Sequence, residues 1–283
     1  NRVKDEPCDG ARTLEYVERL MVTGENRTAI RATNRFIAEC GDASKLRWVS
    51  HEAHRRLFEW DAAAQEAGMS LSDYELFVFG ACKLLQDDPQ AAWLNVRASQ
   101  QHIVDHLNKC SNLRYVNDGT DLSFNTAGRT WLNSDGQTNM PSGEVYTSPV
   151  ENSVQGMVHF SYPCIYQGNE VEGVTLWVKD GCIEKWVALR GQEFLDYIFT
   201  LPGTRRFGEA AIGTNYDIQR MTKNILFDEK IGGTIHLAIG QSYLQAGGKN
   251  ESPVHWDMIT DMTKGGAIWA DGERIYRDGK FLL

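Results

Sequence analysis

The chain has 283 residues, enough for one large domain or two ordinary domains with a substantial buried core. Its apolar fraction of 42% and charged fraction of 24% are typical of a globular protein. Its net charge of −9 argues against nucleic acid as a partner, because phosphate binding requires a basic surface. No apolar run approaches the roughly 20 residues of a membrane-spanning helix, and no signal-peptide pattern opens the sequence, so we expect no membrane partner.

The cysteines point to a reducing compartment. Six are scattered along the chain without a CxxC pair, at positions Cys8, Cys40, Cys82, Cys110, Cys164 and Cys182. That pattern is too sparse for a disulfide scaffold or a zinc-finger framework. We therefore expect reduced thiols and a cytoplasmic location.

Before Cys110 the apolar residues recur at helical spacing. The best-marked helix has Asp88 as its cap and Pro89 in its first turn, followed by an apolar stripe of Trp93, Val96, Ile103 and Leu107. Residues 74–85 form a second candidate helix, and residues 13–67 are predicted to be helical with one short strand at 47–49. Four histidines in this part are predicted to lie on the surface, namely His51, His54, His102 and His106.

After Cys110 the pattern changes to strands and tight turns. Asp-Gly recurs five times, at 118–119, 135–136, 180–181, 271–272 and 278–279, and is a strong hairpin signal because both central residues of a type I′ turn need positive φ. The pattern predicts a hairpin from 174–178 and 182–188, a C-terminal meander, and helices at 192–200 and 216–226. The fold class is therefore α+β, with a mostly helical (α/β) N-terminal domain at 1–110 and a mixed, mainly antiparallel β-rich C-terminal domain at 111–283.

Two histidines and an aspartate stand out in the stretch HLAIGQSYLQAGGKNESPVHWDMI, which runs from His236 to Ile259. His236 lies in an apolar segment bounded by glycines, so alone it is more typical of a core histidine than of a ligand. His255 and Asp257 are two residues apart, and in a strand they face the same side while Trp256 faces the other. Imidazole and carboxylate on one face are a typical ligand set for a catalytic divalent metal.

Three glutamates lie in unusual settings. Glu144 follows a loop with proline and glycine and begins a predicted strand, although an exposed turn residue would fit the same pattern. Glu209 is flanked by Gly, Ala, Ala and Ile, which predicts a buried carboxylate that needs a counter-charge or a metal. Glu229 lies in the stretch FDEK, which is equally compatible with a solvated charge cluster. Carboxylates and histidines of this number suit a pair of divalent ions that share a water molecule.

The motifs NMPSGEVYTSP, GEAAIGTN, TKNILFDEKIGGTIHLAIGQSY and HWDMI, in this order, resemble the aminopeptidase T/aminopeptidase S family of metallo-aminopeptidases. The resemblance runs from about Tyr74 to the C-terminus. It implies a cytoplasmic homodimer that removes N-terminal residues from peptides with a free N-terminus, using two divalent ions (zinc, cobalt, manganese or magnesium). It also implies the metal-site residues Glu144, Glu209, His236, Tyr243, His255 and Asp257.

Roles within this set are assigned as hypotheses. Glu209 is the candidate bridging or water-positioning carboxylate. Tyr243 would contact a metal or stabilise a tetrahedral intermediate, with a packing aromatic as the alternative. Glu229 would bind the substrate's α-amino group or act as the base.

The chain differs from the family in two places. The segment between Tyr243 and His255 is shorter than in some members, which would reshape the rim of the pocket. The N-terminal part is short and mostly helical where the family carries a sizeable α/β domain, which predicts an incomplete N-terminal domain and puts dimer assembly in question.

These patterns predict a metal-dependent aminopeptidase. Two alternatives stay open: a two-metal hydrolase of another amide or ester, and a non-catalytic metal-binding module. Phosphate esters are disfavoured because the motifs have few arginines nearby, and a structural zinc site is disfavoured because no cysteine lies within the motifs.

Overall fold

The structure, a computed structural model, describes residues 10–22, 28–29, 31–32, 35 and 60–283. The chain divides into two compact units, Asn1–Tyr74 and Glu75–Leu283. This division falls earlier than the predicted boundary at residues 110–111, which marks the change from helices to strands. The predicted strand at 47–49 and the histidines His51 and His54 lie outside the described residues.

In the first unit most of the described residues are helical. Helix α1 spans Gly10–Val22, with Thr13, Val17 and Leu20 buried, and residues 60–66 form a further helical segment. Trp60 and Tyr74 meet edge to face, with ring centroids 5.8 Å apart. Helix α2, Leu71–Ala81, crosses the division between the two units.

Helix α3, Pro89–Leu107, begins as the sequence predicts. The Asp88 side chain accepts a hydrogen bond from the Ala91 amide at 2.9 Å, and Pro89 occupies the first turn. From the predicted stripe Trp93, Ile103 and Leu107 are buried, whereas Val96 is half-buried. His102 is exposed as predicted, and His106 is half-buried.

The strands of the second unit are all antiparallel within their sheets. The eight-stranded sheet has the order β15-β14-β13-β1-β2-β5-β8-β9, the five-stranded sheet β12-β11-β10-β4-β3, and β6 and β7 form a separate pair. The first four strands are β1 Asn112–Asn117, β2 Thr120–Asn125, β3 Leu132–Ser134 and β4 Glu144–Thr147. They are followed by β5 Gln155–His159, β6 Cys164–Tyr166, β7 Asn169–Val171, β8 Thr175–Lys179, β9 Cys182–Val187 and β10 Phe207–Gly213. The last five are β11 Thr234–Gly240, β12 His255–Asp261, β13 Ala267–Ala270, β14 Glu273–Arg277 and β15 Lys280–Phe281.

The second unit has one large apolar core to which both main sheets contribute. From the eight-stranded sheet it takes residues such as Leu113, Tyr115 and Leu176, and from the five-stranded sheet residues such as Val145 and Leu237. The mainly antiparallel α+β class is therefore confirmed for this unit. No helix in the part of the chain that the structure describes is long and apolar enough to cross a membrane.

The predicted hairpin and meander are both present. Strands β8 and β9 are joined at Asp180 and Gly181, whose φ angles of 49° and 72° are the positive pair that a type I′ turn needs. The C-terminal strands β13, β14 and β15 pair in sequence. The helix predicted at 192–200 is observed as α4, Gln192–Ile198.

The prediction of a helix over residues 216–226 is wrong. Only α5, Ile225–Asp228, is helical in this stretch, with Asn224 as its cap. The Asn215 amide donates to the carbonyl of Lys230 at 2.9 Å, and its side chain bonds the carbonyls of Ala81 and Ser142. These bonds hold the segment in an irregular path, and the positive φ of 64° at Lys223 is incompatible with a continuous right-handed helix.

Candidate metal centre

The centre is built on one face of the five-stranded sheet. From Glu209 along β10, and from Ile235 along β11, the residues alternate between core and centre, because successive side chains of a strand face opposite sides. A β-bulge between Phe207 and Glu209 interrupts this alternation at the start of β10, so that Phe207 also lies in the core. The core face carries Ala210, Ile212, Ile235, Leu237 and Ile239. The opposite face carries the predicted ligands Glu144, Glu209, His236, His255 and Asp257, which are buried except for the half-buried His255.

The strand register places small residues between these polar ones. Ala238 pairs with Glu209 on one side and with Asp257 on the other, so the alanine lies between two carboxylates. Ala211 pairs with His236 and with Tyr146 in the same way. Both alanines are fully buried. A larger side chain at either position would fill the space into which the carboxylates and imidazoles project.

Glu209 stands between the two histidines. Its Oε1 lies 3.7 Å from the Nε2 of His236, and its Oε2 lies 3.1 Å from the Nε2 of His255. The Nε2 of His236 is also 3.2 Å from Glu144 Oε2, and that of His255 is 3.6 Å from Asp257 Oδ1. One carboxylate thus links two groups of potential ligands.

The donor atoms form three overlapping groups, in each of which the atoms lie within 4.8 Å of one another. The first contains Glu144, Glu209 and His236, the second Glu209, His255 and Asp257, and the third Glu229, His236 and Asp257. Carboxylate oxygen and imidazole nitrogen are ligands that several divalent metals accept. The structure thus brings together five of the six predicted ligands and the candidate catalytic residue Glu229.

Unpartnered buried atoms support a metal at this place. Both ring nitrogens of His236, the Oε2 of Glu144 and the Oδ1 of Asp257 are buried without a hydrogen bond of acceptable geometry. Buried polar atoms nearly always have partners. The Nε2 of His236 and the Oε2 of Glu144 lie 3.2 Å apart, an arrangement that a shared cation would satisfy. The residues therefore fit divalent metal.

His255 is oriented by the main chain. Its Nδ1 lies 2.8 Å from the carbonyl oxygen of Gln241. Because a carbonyl can only accept, Nδ1 carries the proton, and Nε2 is directed at Glu209 and Asp257. A second hydrogen bond of this kind is typical of metal-binding histidines.

The sixth predicted residue, Tyr243, lies beside the cluster. Its ring is 5.1 Å from that of His255 and 5.2 Å from that of Tyr146, between centroids. The Ser148 hydroxyl accepts a hydrogen bond from the Tyr243 amide at 3.2 Å and donates one to the Gly208 carbonyl at 2.7 Å. Ser148 therefore ties Tyr243 to the start of β10, next to Glu209.

A buried lysine completes the cluster. Lys230 is fully buried, and its Nζ lies 3.3 Å from Glu144 Oε1 and forms a short contact with Glu229 Oε1. Burial would lower the pKa of this ammonium, but Glu144 and Glu229 raise it. Lys230 therefore stays charged at neutral pH.

The protonation of the cluster follows from its charges. Burial would lower the pKa of His255, but Asp257 and Glu209 raise it to about 11. Burial would raise the pKa of Asp257, but the neighbouring imidazoles and Lys230 lower it to about 2. Burial and the repulsion of Glu144 and Asp257 raise the pKa of Glu229 to about 8.

The sequence reasoning missed three kinds of residue. Lys230 belongs to the stretch FDEK, for which a solvated charge cluster was an open alternative, although the glycines and apolar residues after it are a signal of burial. The alanines 211 and 238 were not recognised, although each lies two residues after a predicted ligand. Gln100 had no sequence signal: from α3 its amide nitrogen reaches the carbonyls of Ser134, at 2.9 Å, and Glu144, at 3.1 Å.

A buried carboxylate–imidazole cluster on an antiparallel sheet defines a metalloprotein. The sequence matches the thermophilic metalloprotease family (M29) over residues 18–281, and the chain belongs to that family. The family is one of metal-dependent proteases, and the resemblance found in the motifs is confirmed.

Its relatives are named aminopeptidases. Aminopeptidase AmpS of Bacillus subtilis (strain 168) is 33% identical over 240 residues, and aminopeptidase T of Thermus aquaticus is 28% identical over 236 residues. Each alignment covers 73% of this chain and 58% of the relative. The chain thus spans little more than half the length of these relatives.

Two solved structures share the fold. Wild-type AmpT from Thermus thermophilus aligns with a TM-score of 0.64 and 22% identity, over 91% of this chain and 79% of that one. The 2,5-dihydroxypyridine dioxygenase from Pseudomonas putida KT2440 aligns with a TM-score of 0.54 and 17% identity, over 64% of this chain and 57% of the dioxygenase chain. At these identities the likeness concerns the fold alone.

Proposed function

We propose that this protein is a metal-dependent aminopeptidase that releases N-terminal amino acids from peptides, with two divalent ions in the cluster. The observation that carries the proposal is the position of Glu209 between His236 and His255. Glu144, Glu209 and His236 would hold one ion, and Glu209, His255 and Asp257 the other, with Glu209 as the bridge. Zinc, cobalt, manganese and magnesium all suit this mixture of oxygen and nitrogen ligands.

When bound, such ions would polarise the scissile carbonyl and lower the pKa of an attacking water molecule. The chain itself orients the ligand side chains and leaves space for the ions between them. Gln241 orients the His255 ring, and the two small alanines keep the face open.

Glu229 is proposed to recognise the substrate's free α-amino group or to accept the proton of the water molecule. One oxygen of Glu229 is bound by Lys230, while a Glu229 oxygen belongs to the group with His236 and Asp257. Once ionised, the carboxyl group of Glu229 would attract an α-ammonium group but would gain nothing from a blocked N-terminus. This supports release of single residues from peptides with free N-termini.

Tyr243 is proposed as the sixth residue of the centre. Its phenol would either bind an ion or donate a hydrogen bond to the oxygen of the tetrahedral intermediate. Tyr243→Phe separates these roles: a lost ligand lowers the metal content, whereas a lost hydrogen bond lowers kcat at full metal content.

The contacts of two arginines near the motifs disfavour phosphate esters as substrates. Arg205 donates to the carbonyl of Ile183 and lies over the Trp186 ring, and Arg206 donates to the carbonyl of Glu151. Neither arginine is available as a phosphate clamp. A purely structural site is disfavoured because the three ligand groups of the described residues contain no cysteine.

The test is hydrolysis of leucine p-nitroanilide by metal-stripped protein, with and without added cobalt or zinc. Metal-dependent release of p-nitroaniline is expected, and none from the N-acetylated substrate. Equal cleavage of both substrates would refute the exopeptidase role. Release from p-nitrophenyl phosphate instead would point to another two-metal hydrolase.

We further propose, from the resemblance, a cytoplasmic homodimer with residues 111–283 as the catalytic domain.

A further inference from the structure

We infer that Lys230 is a positioning residue, a fixed monovalent cation that withholds carboxylate oxygens of Glu144 and Glu229 from the divalent ions. The inference rests on the proposed function for the identity of those ions. Its own evidence is the geometry and burial of the lysine.

The first observation is the division of the Glu144 carboxylate. Its Oε1 lies 3.3 Å from the Lys230 ammonium, while its Oε2 lies 3.2 Å from the Nε2 of His236. One oxygen is therefore taken by the lysine and the other faces the cluster. A carboxylate held in this way offers a single oxygen to a metal.

The second observation concerns Glu229. Its Oε1 is in short contact with the same ammonium, although a Glu229 oxygen is close to His236 and Asp257. Without Lys230 both oxygens of Glu229 would be free to turn towards the ions. The lysine thus fixes one oxygen of this glutamate beside the cluster.

The third observation is the burial of the ammonium and the fixed main chain that carries it. Lys230 is fully buried, and a buried ammonium is stable only when it is paired. Its main chain is fixed as well, because its carbonyl accepts from the Asn215 amide at 2.9 Å and its amide donates to Phe227. Asn215 also bonds the Ser142 carbonyl at 2.8 Å, two residues before Glu144, so lysine and glutamate are held in one framework.

Electrostatics sets the direction of the effect. The cluster contains one ammonium and two imidazoles among four carboxyl groups. The ammonium repels divalent ions and occupies oxygens that could bind them, so its removal should strengthen metal binding while it misplaces Glu229. A residue that only supports the fold would weaken metal binding when replaced.

The experiment measures zinc affinity by chelator competition in the full chain. Lys230→Met should bind zinc at least about tenfold more tightly than wild type, with a lower kcat. The double variant Lys230→Met/Glu229→Gln should lose part of that gain, because Glu229 supplies one of the released oxygens and Glu144 supplies the other. The matched control Lys223→Met, which removes a more exposed partner of Glu170, should bind zinc as wild type does.

Unchanged or weaker zinc binding by folded Lys230→Met would overturn the inference, as would a gain that Glu229→Gln leaves undiminished. If Lys230→Met is unfolded without metal, the inference requires zinc to restore the fold, since the ion then supplies the missing positive charge. Failure of zinc to do so also overturns it. Wild type that binds zinc but cleaves no peptide would refute the proposed function and leave this test intact.

Discussion

The Nδ1 of His255 lies 2.8 Å from the main-chain oxygen of Gln241. This contact fixes which nitrogen carries a proton when the imidazole is neutral, and it directs Nε2 at the carboxylates of the cluster. In the metal-free protein those carboxylates hold a second proton on the ring, because they raise its pKa to about 11 despite burial. A metal must displace that proton.

Metal binding should therefore release protons. Neighbouring carboxylates raise the pKa of both His236 and His255 in the metal-free protein despite burial, so both imidazoles hold their second proton to a higher pH than a free imidazole does. Apparent zinc affinity should rise with pH, by up to about tenfold per pH unit for each proton released. Calorimetry in two buffers of different ionisation enthalpy measures the number released, and His255→Gln should lower it. Zinc binding without proton release would contradict the raised pKa values of the two histidines.

The stability of the metal-free protein should fall as pH rises. The folded-state pKa of His255 is raised above its ordinary value of 6.5 to about 11. Its stabilising contribution is therefore fully present below about pH 6.5 and is lost as pH rises towards 11. Urea unfolding between pH 6 and 10 measures this trend, and saturating zinc should remove it. A metal-free stability that rises over this interval would count against the charge assignment.

Glu209→Gln should abolish activity and lower metal content. The substitution keeps the shape of the side chain but removes the charge that lies between the two histidines. We expect kcat/KM for leucine p-nitroanilide to fall at least about a hundredfold, and bound metal to fall with it. Glu172→Gln is the control, because Glu172 forms an exposed pair with Arg190 at 2.9 Å. Full metal content in Glu209→Gln would exclude the bridging role.

Ala238→Val should exclude metal without unfolding the chain. The alanine is fully buried and lies between Glu209 and Asp257 in the sheet register. Two further methyl groups there would occupy the space of the centre, at a cost of about 1–3 kcal/mol in unfolding free energy. Elemental analysis of the purified protein gives the metal content, and Ala238→Ser should retain metal. A wild-type metal content in the Ala238→Val variant would show that the metal does not occupy the space beside Ala238.

Trp256→Ala should destabilise the fold from the opposite face of β12. The indole is buried and packs on Tyr166 and Phe194, with centroids 5.5 and 5.8 Å away. We expect a loss of about 3–5 kcal/mol in unfolding free energy, measured in urea, and a smaller loss for Trp256→Phe. A loss below about 1 kcal/mol would show that this side of β12 is not part of the core.

Much of the centre was predictable because strand geometry is local. The period of two fixes His255 and Asp257 on one face with Trp256 on the other, whatever the rest of the chain does. The burial of Glu209 and His236 also followed from their apolar neighbours in sequence. Their assignment to one metal centre came from the order of the motifs and the family they resemble.

What only the tertiary structure decided is the pairing between strands. Sequence spacing does not say that Ala238 lies opposite both Glu209 and Asp257, because register depends on how separate strands meet. Sequence spacing also does not predict that Gln100 of α3 donates to the Glu144 carbonyl. Nor does it predict the hydrogen bond from Asn215 to the Lys230 carbonyl, which holds the segment after Asn215 in an irregular path instead of the expected helix. The alternation of side chains along a strand is set by the chain itself, whereas the neighbours across strands, and the buried ammonium of Lys230 among the carboxylates, exist only once distant segments pack together.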